Sequence, residues 1–132
     1  MKRQEAREQA FMVLFEKIFN ETDSIEEIVE TAQEAGIIKI NSFAENILKN
    51  VQAHIDEIDN IISENLQGWT MSRIPKVSLA VLRLGVCEIL FIDDVPNGVA
   101  VNEAVELAKK YGTEDDAKYI NGVLSSVVRA VK

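Results

Sequence analysis

Apolar side chains recur along this chain at three- and four-residue steps, the period of a helix with one buried face. Between Gln4 and Phe19 the residues Phe11, Leu14, Phe15 and Ile18 share such a face. A polar break follows at Asn20 to Asp23. Ser24 with Glu27 then forms a capping-box pattern, in which each side chain satisfies a free backbone N–H of the other residue. The helix it opens carries Ile25, Ile28, Val29 and Ala32 and stops at Gly36, a residue that tolerates the left-handed turn ending many helices. Phe43, Ile47, Val51, Ile55, Ile58, Ile62 and Leu66 keep helical spacing without interruption. This predicts one long helix, bent near His54 and closed by Gly68.

Pro75 suits a helix start and not a helix interior. From Val77 to Ile92 only Ser78, Arg83 and Glu88 are strongly polar, and at about 100° per residue they point in three directions. A helix apolar all round is a buried one, so this segment is the predicted centre of the fold. Asp93 to Gly98 reads as a loop. Val101, Val105, Ala108 and Tyr111 predict the buried face of the next helix. Gly112 ends it, and Thr113 caps the last helix, with Asp115 and Asp116 at its positive end. The expected fold is all-α, in one domain over residues 1–132 with subparts of about 1–67 and 68–132.

Charge changes this picture in one respect. The chain carries 22 acids against 14 bases, a net charge of −8, whereas affinity for phosphate comes from Lys and Arg. The placement is uneven: Glu21 to Glu34 contains no base, while Lys2, Arg3 and Arg7 stand against Glu5 alone at the start. Positive charges at a helix N-terminus oppose its dipole at a cost of about 0.3–1 kcal/mol each, so a solvated terminus or a basic prong for phosphate is expected there. Lys118 beside Tyr119 is a minimal phosphate-plus-stacking pair, although Tyr119 also fits a core position. Arg83 and Glu88, inside the most apolar helix, need partners. We expect Arg83 to pair with another element, and Glu88 either to do the same or to reach a partner surface.

Other chemistry finds little support. The lone His54 has no Ser or Cys nearby in sequence. The pairs Asp93-Asp94 and Asp115-Asp116 sit where caps and loops explain them, and no Gly-rich phosphate loop is present. We expect no enzyme activity, metal or cofactor. Cys87 lies in an apolar run and reads as a buried, inert thiol. With no signal peptide and no apolar run of membrane-spanning length, a cytoplasmic location is expected.

The segments Val77–Leu90, Asp94-Val95-Pro96, Val99–Lys109, Tyr111–Asp115 and Tyr119–Leu124 resemble the C-terminal half of the NusB family, and Ala6-Arg7 through Ala10 to Leu14-Phe15 resembles its opening helix. The resemblance runs through the chain in order and is strongest from Leu82 to Leu124. It implies a bundle of about seven helices, three in an N-terminal part and four in a C-terminal part. It also implies a transcription antitermination factor that pairs with NusE, a small-subunit ribosomal protein. Together they would bind single-stranded boxA RNA in ribosomal RNA transcription complexes, with other Nus factors and RNA polymerase as indirect partners. Carried over by matching position, Lys2, Arg3, Arg7, Lys118 and Tyr119 form the RNA side. Phe15 and the start of the central helix at Ser78 form the partner side, to which Glu88 is added as a charge that could reach a partner surface. Relatives often show an acid then a base where this chain has Ser78 and Leu79, and an aromatic where it has Cys87. Two alternatives stay open: the NusB-like domain of an rRNA methyltransferase, and a structural homodimer.

Overall fold

The computed structural model describes residues 2–131 and is helical throughout. Seven helices follow in order: α1 (Arg3–Phe19), α2 (Ile25–Glu34), α3 (Ser42–Ala53), α4 (Ile55–Asn65), α5 (Lys76–Phe91), α6 (Asn97–Tyr111) and α7 (Glu114–Ala130). The local signals explain most boundaries. Glu27 N–H donates to Ser24 Oγ at 3.1 Å and Ser24 N–H to Glu27 Oε1 at 2.9 Å, completing the expected capping box. Thr113 and Asp116 form a second box, with both bonds at 3.0 Å. Gly36, at φ +74°, lets the Ile37 N–H reach the Ala32 carbonyl at 2.9 Å and close α2. Pro75 and Pro96 stand at the N-cap positions of α5 and α6, where no N–H is needed.

The long helix expected from Phe43 to Leu66 is two helices. His54 leaves the helical region at φ −124°, ψ 25°, and its imidazole stacks on Phe91 at 4.1 Å. The apolar spacing survives the break because both halves present that face to the same core. The readable sign of a new start was Asp56-Glu57, two acids at the positive end of α4. α3 packs with α1 and α5, and α4 with α5 and α7. Gly68, at φ +78°, lies in the loop beyond the end of α4.

α5 is the centre. It contacts α1, α3, α4, α6 and α7, and these five surround it. Ten consecutive or nearly consecutive residues from Ser78 to Glu88 are buried. Gly85 sits where an added Cβ would lie 2.8 Å from Leu124 Cδ1 of α7 and 3.5 Å from Ala104 Cβ of α6, so a side chain there would force Leu124 to shift. On α6 the buried residues are Ala100, Ala104, Leu107 and Ala108, with Val101 and Val105 half-buried. The predicted face is therefore rotated by about one residue. Three alanines one turn apart let α6 lie close against α5, and the bulkier valines flank that contact.

Charged pairs fix the register of this packing. Arg7, on α1, is 4% exposed and Glu88, on α5, is 1% exposed. Arg7 Nε donates to both Glu88 oxygens at 2.9 Å, and Nη2 to Oε1 at 2.8 Å. Arg7 Nη1 also lies 3.5 Å from Glu103 of α6, and the guanidinium stands over the Phe43 ring of α3 at 5.1 Å. Four helices thus meet on one side chain. Burial pushes the Glu88 carboxyl above its ordinary range, and the Arg7 hydrogen bonds oppose that shift. On the other flank, Arg83 pairs bidentately with Asp59 of α4 at 2.9 and 3.0 Å, the structural partnership its position called for. Cys87 is buried with its sulfur 3.6 Å from the Ile47 carbonyl, and its thiol is pushed up to about 12 by loss of solvation.

Two predictions follow from the packing. Leu82, fully buried, should cost about 2–5 kcal/mol when truncated to Ala, whereas half-buried Ile89 should cost less; chemical denaturation measures both. Arg7→Met strands a buried carboxylate and should destabilise by about 3–5 kcal/mol, while Arg7→Met with Glu88→Leu should regain much of that loss. Equal losses in the single and double variants would show that the pair is not coupled.

Candidate nucleic-acid interface

The five residues expected on the RNA side separate into two groups and one exception. Arg7 is the exception. Its guanidinium is enclosed and committed to Glu88 and Glu103, so in this fold it supplies no free phosphate contact. The basic stripe at the start of α1 turns inward after its first turn.

Lys2 and Arg3 are exposed. Arg3 is ion-paired with Asp94 in the loop between α5 and α6, and its guanidinium stacks on Phe43 at 4.4 Å. The hydrogen bond from Arg3 holds the Asp94 carboxyl below the usual carboxylate range. The pair is solvent-exposed on both sides, so it orients Arg3 without removing it from reach of an anion. One turn farther along α1, Glu8 accepts from Lys110 and, at 2.8 Å, from the Tyr111 hydroxyl. Lys110 is chiefly responsible for lowering the Glu8 carboxyl, and Glu8 in turn raises Lys110. Lys110, exposed at the end of α6, was not among the residues expected on the RNA side.

Lys118 is exposed in the first turns of α7 and Tyr119 is half-buried against the core. The Tyr119 hydroxyl donates to the Gln67 carbonyl at 3.2 Å and accepts from the Gln67 N–H at 3.1 Å. The core reading of Tyr119 is the one seen here: its ring contributes to the core edge, and its hydroxyl latches the loop between α4 and α5. The two groups do not touch. Tyr119 is bonded to Gln67 in the loop before α5, whereas Arg3 is paired with Asp94 in the loop after it. At 1.5 Å per helical residue that places them roughly 20 Å apart along α5. A ligand using both must be extended.

The expected partner side divides in the same way. Ser78 is 1% exposed and its Oγ has no hydrogen-bond partner among the described residues, and Glu88 is sealed by Arg7. Neither side chain is open to another molecule in this structure, although their neighbours Val77 and Leu79 line surface grooves. Phe15 is half-buried in an aromatic ladder. Tyr111 stacks on Phe11 at 4.8 Å, Phe11 on Phe15 at 5.9 Å, and Phe15 meets Phe19 edge-on at 5.2 Å. Phe19 is 64% exposed, Ile37 65% and Met12 41%. A groove of about 460 Å³ runs among Phe11, Met12, Phe15, Ile37, Val77 and Tyr111. Such a face is what protein partners cover. The spacing of Phe15 and Phe19, one turn apart, was its signal in the sequence. A second groove, about 550 Å³, lies on the other side of α1 between Ile18, Ile55 and Leu79, where Arg83 is already held by Asp59.

Among the described residues no group of three His, Cys, Asp or Glu side chains is placed to hold a metal ion, and no helix is long and apolar enough to cross a membrane.

Comparison with known proteins gives this surface a context. The chain is 42% identical over 128 residues to the transcription antitermination protein NusB of Oceanobacillus iheyensis, covering 97% of this chain and 99% of that protein. It is 44% identical over 130 residues to the protein of the same name from Listeria monocytogenes serotype 4b, covering 96% of each. Its fold is similar to the NusB of a crystal structure of antitermination factors NusB and NusE in complex with dsRNA. There the TM-score is 0.84 at 34% identity, over 97% of this chain and 96% of that one. T. maritima NusB gives a TM-score of 0.86 at 31% identity, over 98% of this chain and 92% of that one. The NusB family model matches residues 4–129, from the first turn of α1 to the last turn of α7, and the chain is a member of the NusB family.

Proposed function

We propose that this chain is a non-catalytic transcription antitermination factor that binds RNA together with NusE. The likeness to a NusB from a NusB–NusE–RNA complex, extending over 97% of the chain, carries the reading. Lys2, Arg3 and Lys118 are its phosphate contacts, and the Tyr119 ring offers a stacking edge beside Lys118. Arg7 belongs to the scaffold that aims Arg3. The ladder ending in Phe15 and Phe19, with Val77 across the groove, is the NusE face. A net charge of −8 and cations shared with Asp94 and Glu8 leave a small basic surface, so NusE supplies much of the affinity. The preferred RNA is boxA-like and single-stranded in the region that meets this chain.

The direct test titrates boxA-like, scrambled and duplex RNA with and without NusE. NusE should tighten boxA binding, and a curve that does not move when NusE is added would sink the reading. Arg3→Ala and Lys118→Ala should each flatten the log–log salt dependence by about 0.7, the single-strand value for one phosphate contact. Tyr119→Phe keeps the ring and loses the latch to Gln67, so it should lower the melting temperature more than the affinity. Phe19→Asp should abolish the gain given by NusE while changing stability by no more than about 0.5 kcal/mol, as for other surface changes.

A further inference from the structure

The loop between α4 and α5 holds Trp69, the only tryptophan of the chain, with 53% of its surface exposed. A tryptophan left in water is unusual, and the loop does not leave it there through slackness. Gln67, two residues before it, is held through both backbone groups by Tyr119. Gly68, at φ +78°, turns the chain, and a Cβ there would meet nothing, so the turn and not crowding requires glycine. The Arg73 N–H closes a turn on the Thr70 carbonyl at 3.0 Å. Met71 packs against the core and Ile74 is 3% exposed. The loop is thus pinned on both sides of Trp69, and the indole is held outward.

The charge around it is distinctive for so acidic a protein. The chain has 22 acids, yet none lies between Glu64 and Glu88, and none from Ala117 onward. These two acid-free stretches are the ones the fold brings together, through Tyr119 on Gln67 and through Ser126 donating to Asn65 at 2.7 Å. Arg73, Lys76 and Lys118 are all exposed, and no ion pair holds any of them among the described residues. By contrast, Arg3 at the start of α1 and Lys110 at the end of α6 each have a carboxylate partner.

We infer that Trp69 stacks on a base of single-stranded RNA, with Arg73 and Lys76 contacting the flanking phosphates, so that the RNA surface extends from the start of α7 over the α4–α5 loop. An outward aromatic among unpaired cations is the arrangement that binds single strands, since every base has a face to stack and every nucleotide a phosphate. A protein partner is better served by the Phe15–Phe19 face, which is apolar where this patch is polar and basic. The inference rests on the RNA-binding reading above and adds residues to it.

Because Trp69 is alone, its emission reports the contact directly. With tryptophan-selective excitation, and Trp69→Phe protein as the blank, saturating single-stranded boxA-like RNA in the presence of NusE should quench it. Trp69→Ala should weaken binding about 5- to 150-fold, the equivalent of one stacked base, and Trp69→Phe much less. Arg73→Ala should reduce the salt slope by about 0.7. Melting curves of each variant separate lost contact from lost fold, and the emission of the unaltered protein needs no variant to fold. RNA binding that leaves Trp69 emission and the Trp69→Ala affinity unchanged overturns this inference alone. Emission that shifts on adding NusE without RNA, and no further with it, assigns Trp69 to the protein partner and overturns it too. Failure of the unaltered chain with NusE to bind RNA at all overturns the parent reading together with this one.

Discussion

Arg7 and Glu88 set the terms for the rest of the molecule. A guanidinium and a carboxylate almost wholly removed from water are each costly, and only near-ideal geometry offsets the loss of hydration. That requirement places α1 against α5 at one register, draws Glu103 of α6 to the same cation, and seats the Phe43 ring of α3 beneath it. Apolar packing alone would tolerate sliding, because methyl groups are interchangeable over a helical turn. The pair does not. Arg83 with Asp59 performs the same service between α5 and α4, at a more exposed and correspondingly less demanding site.

The function read from this fold depends on that fixity. Arg3, one turn before Arg7, shares the Phe43 ring with it and reaches Asp94 at the far end of α5. An arginine at a frayed terminus would lose much rotamer freedom on meeting a phosphate; here part of that loss is already incurred in folding. The start of α7 is organised by a different device, a phenol hydroxyl bonded to both backbone groups of Gln67. Neither group of cations is large. Their separation along α5 favours an extended ligand over a compact one, and their modest charge favours a protein that shares RNA with a partner.

The apolar ladder from Tyr111 to Phe19 lies on the same helix as the basic start, but farther along it. α1 therefore serves three purposes along its length: cations at its N-terminal end, a buried clamp one turn on, and an aromatic face at its C-terminal end. This ordering explains why a helix with only modest segregation of polar and apolar residues is nonetheless central to the surface chemistry. On the proposed reading it also brings an RNA end and a partner end into one rigid element.

Much of this was legible in the residues. The capping box at Ser24, the cap at Thr113, the glycine after α2 and the proline before α5 are local hydrogen-bond and steric demands, so sequence alone determined them; Pro96, read as part of a loop, instead stands at the start of α6. The burial of α5 was equally plain, since no face of it could be left in water. The break at His54 was not, because apolar spacing records which face is buried and is silent on where the axis bends. Nor could the sequence give the fate of Arg7, Ser78 or Glu88. A stripe pattern assigns a direction to a side chain, and whether that direction leads to solvent or to a partner 81 residues away is decided when helices pack. Tyr119 and Trp69 make the same point from opposite sides. Both are aromatics at the α4–α5 loop, one in it and one packed on it from α7, and only the tertiary contacts at Gln67, Met71 and Ile74 decide that one is half enclosed and the other is held out to water.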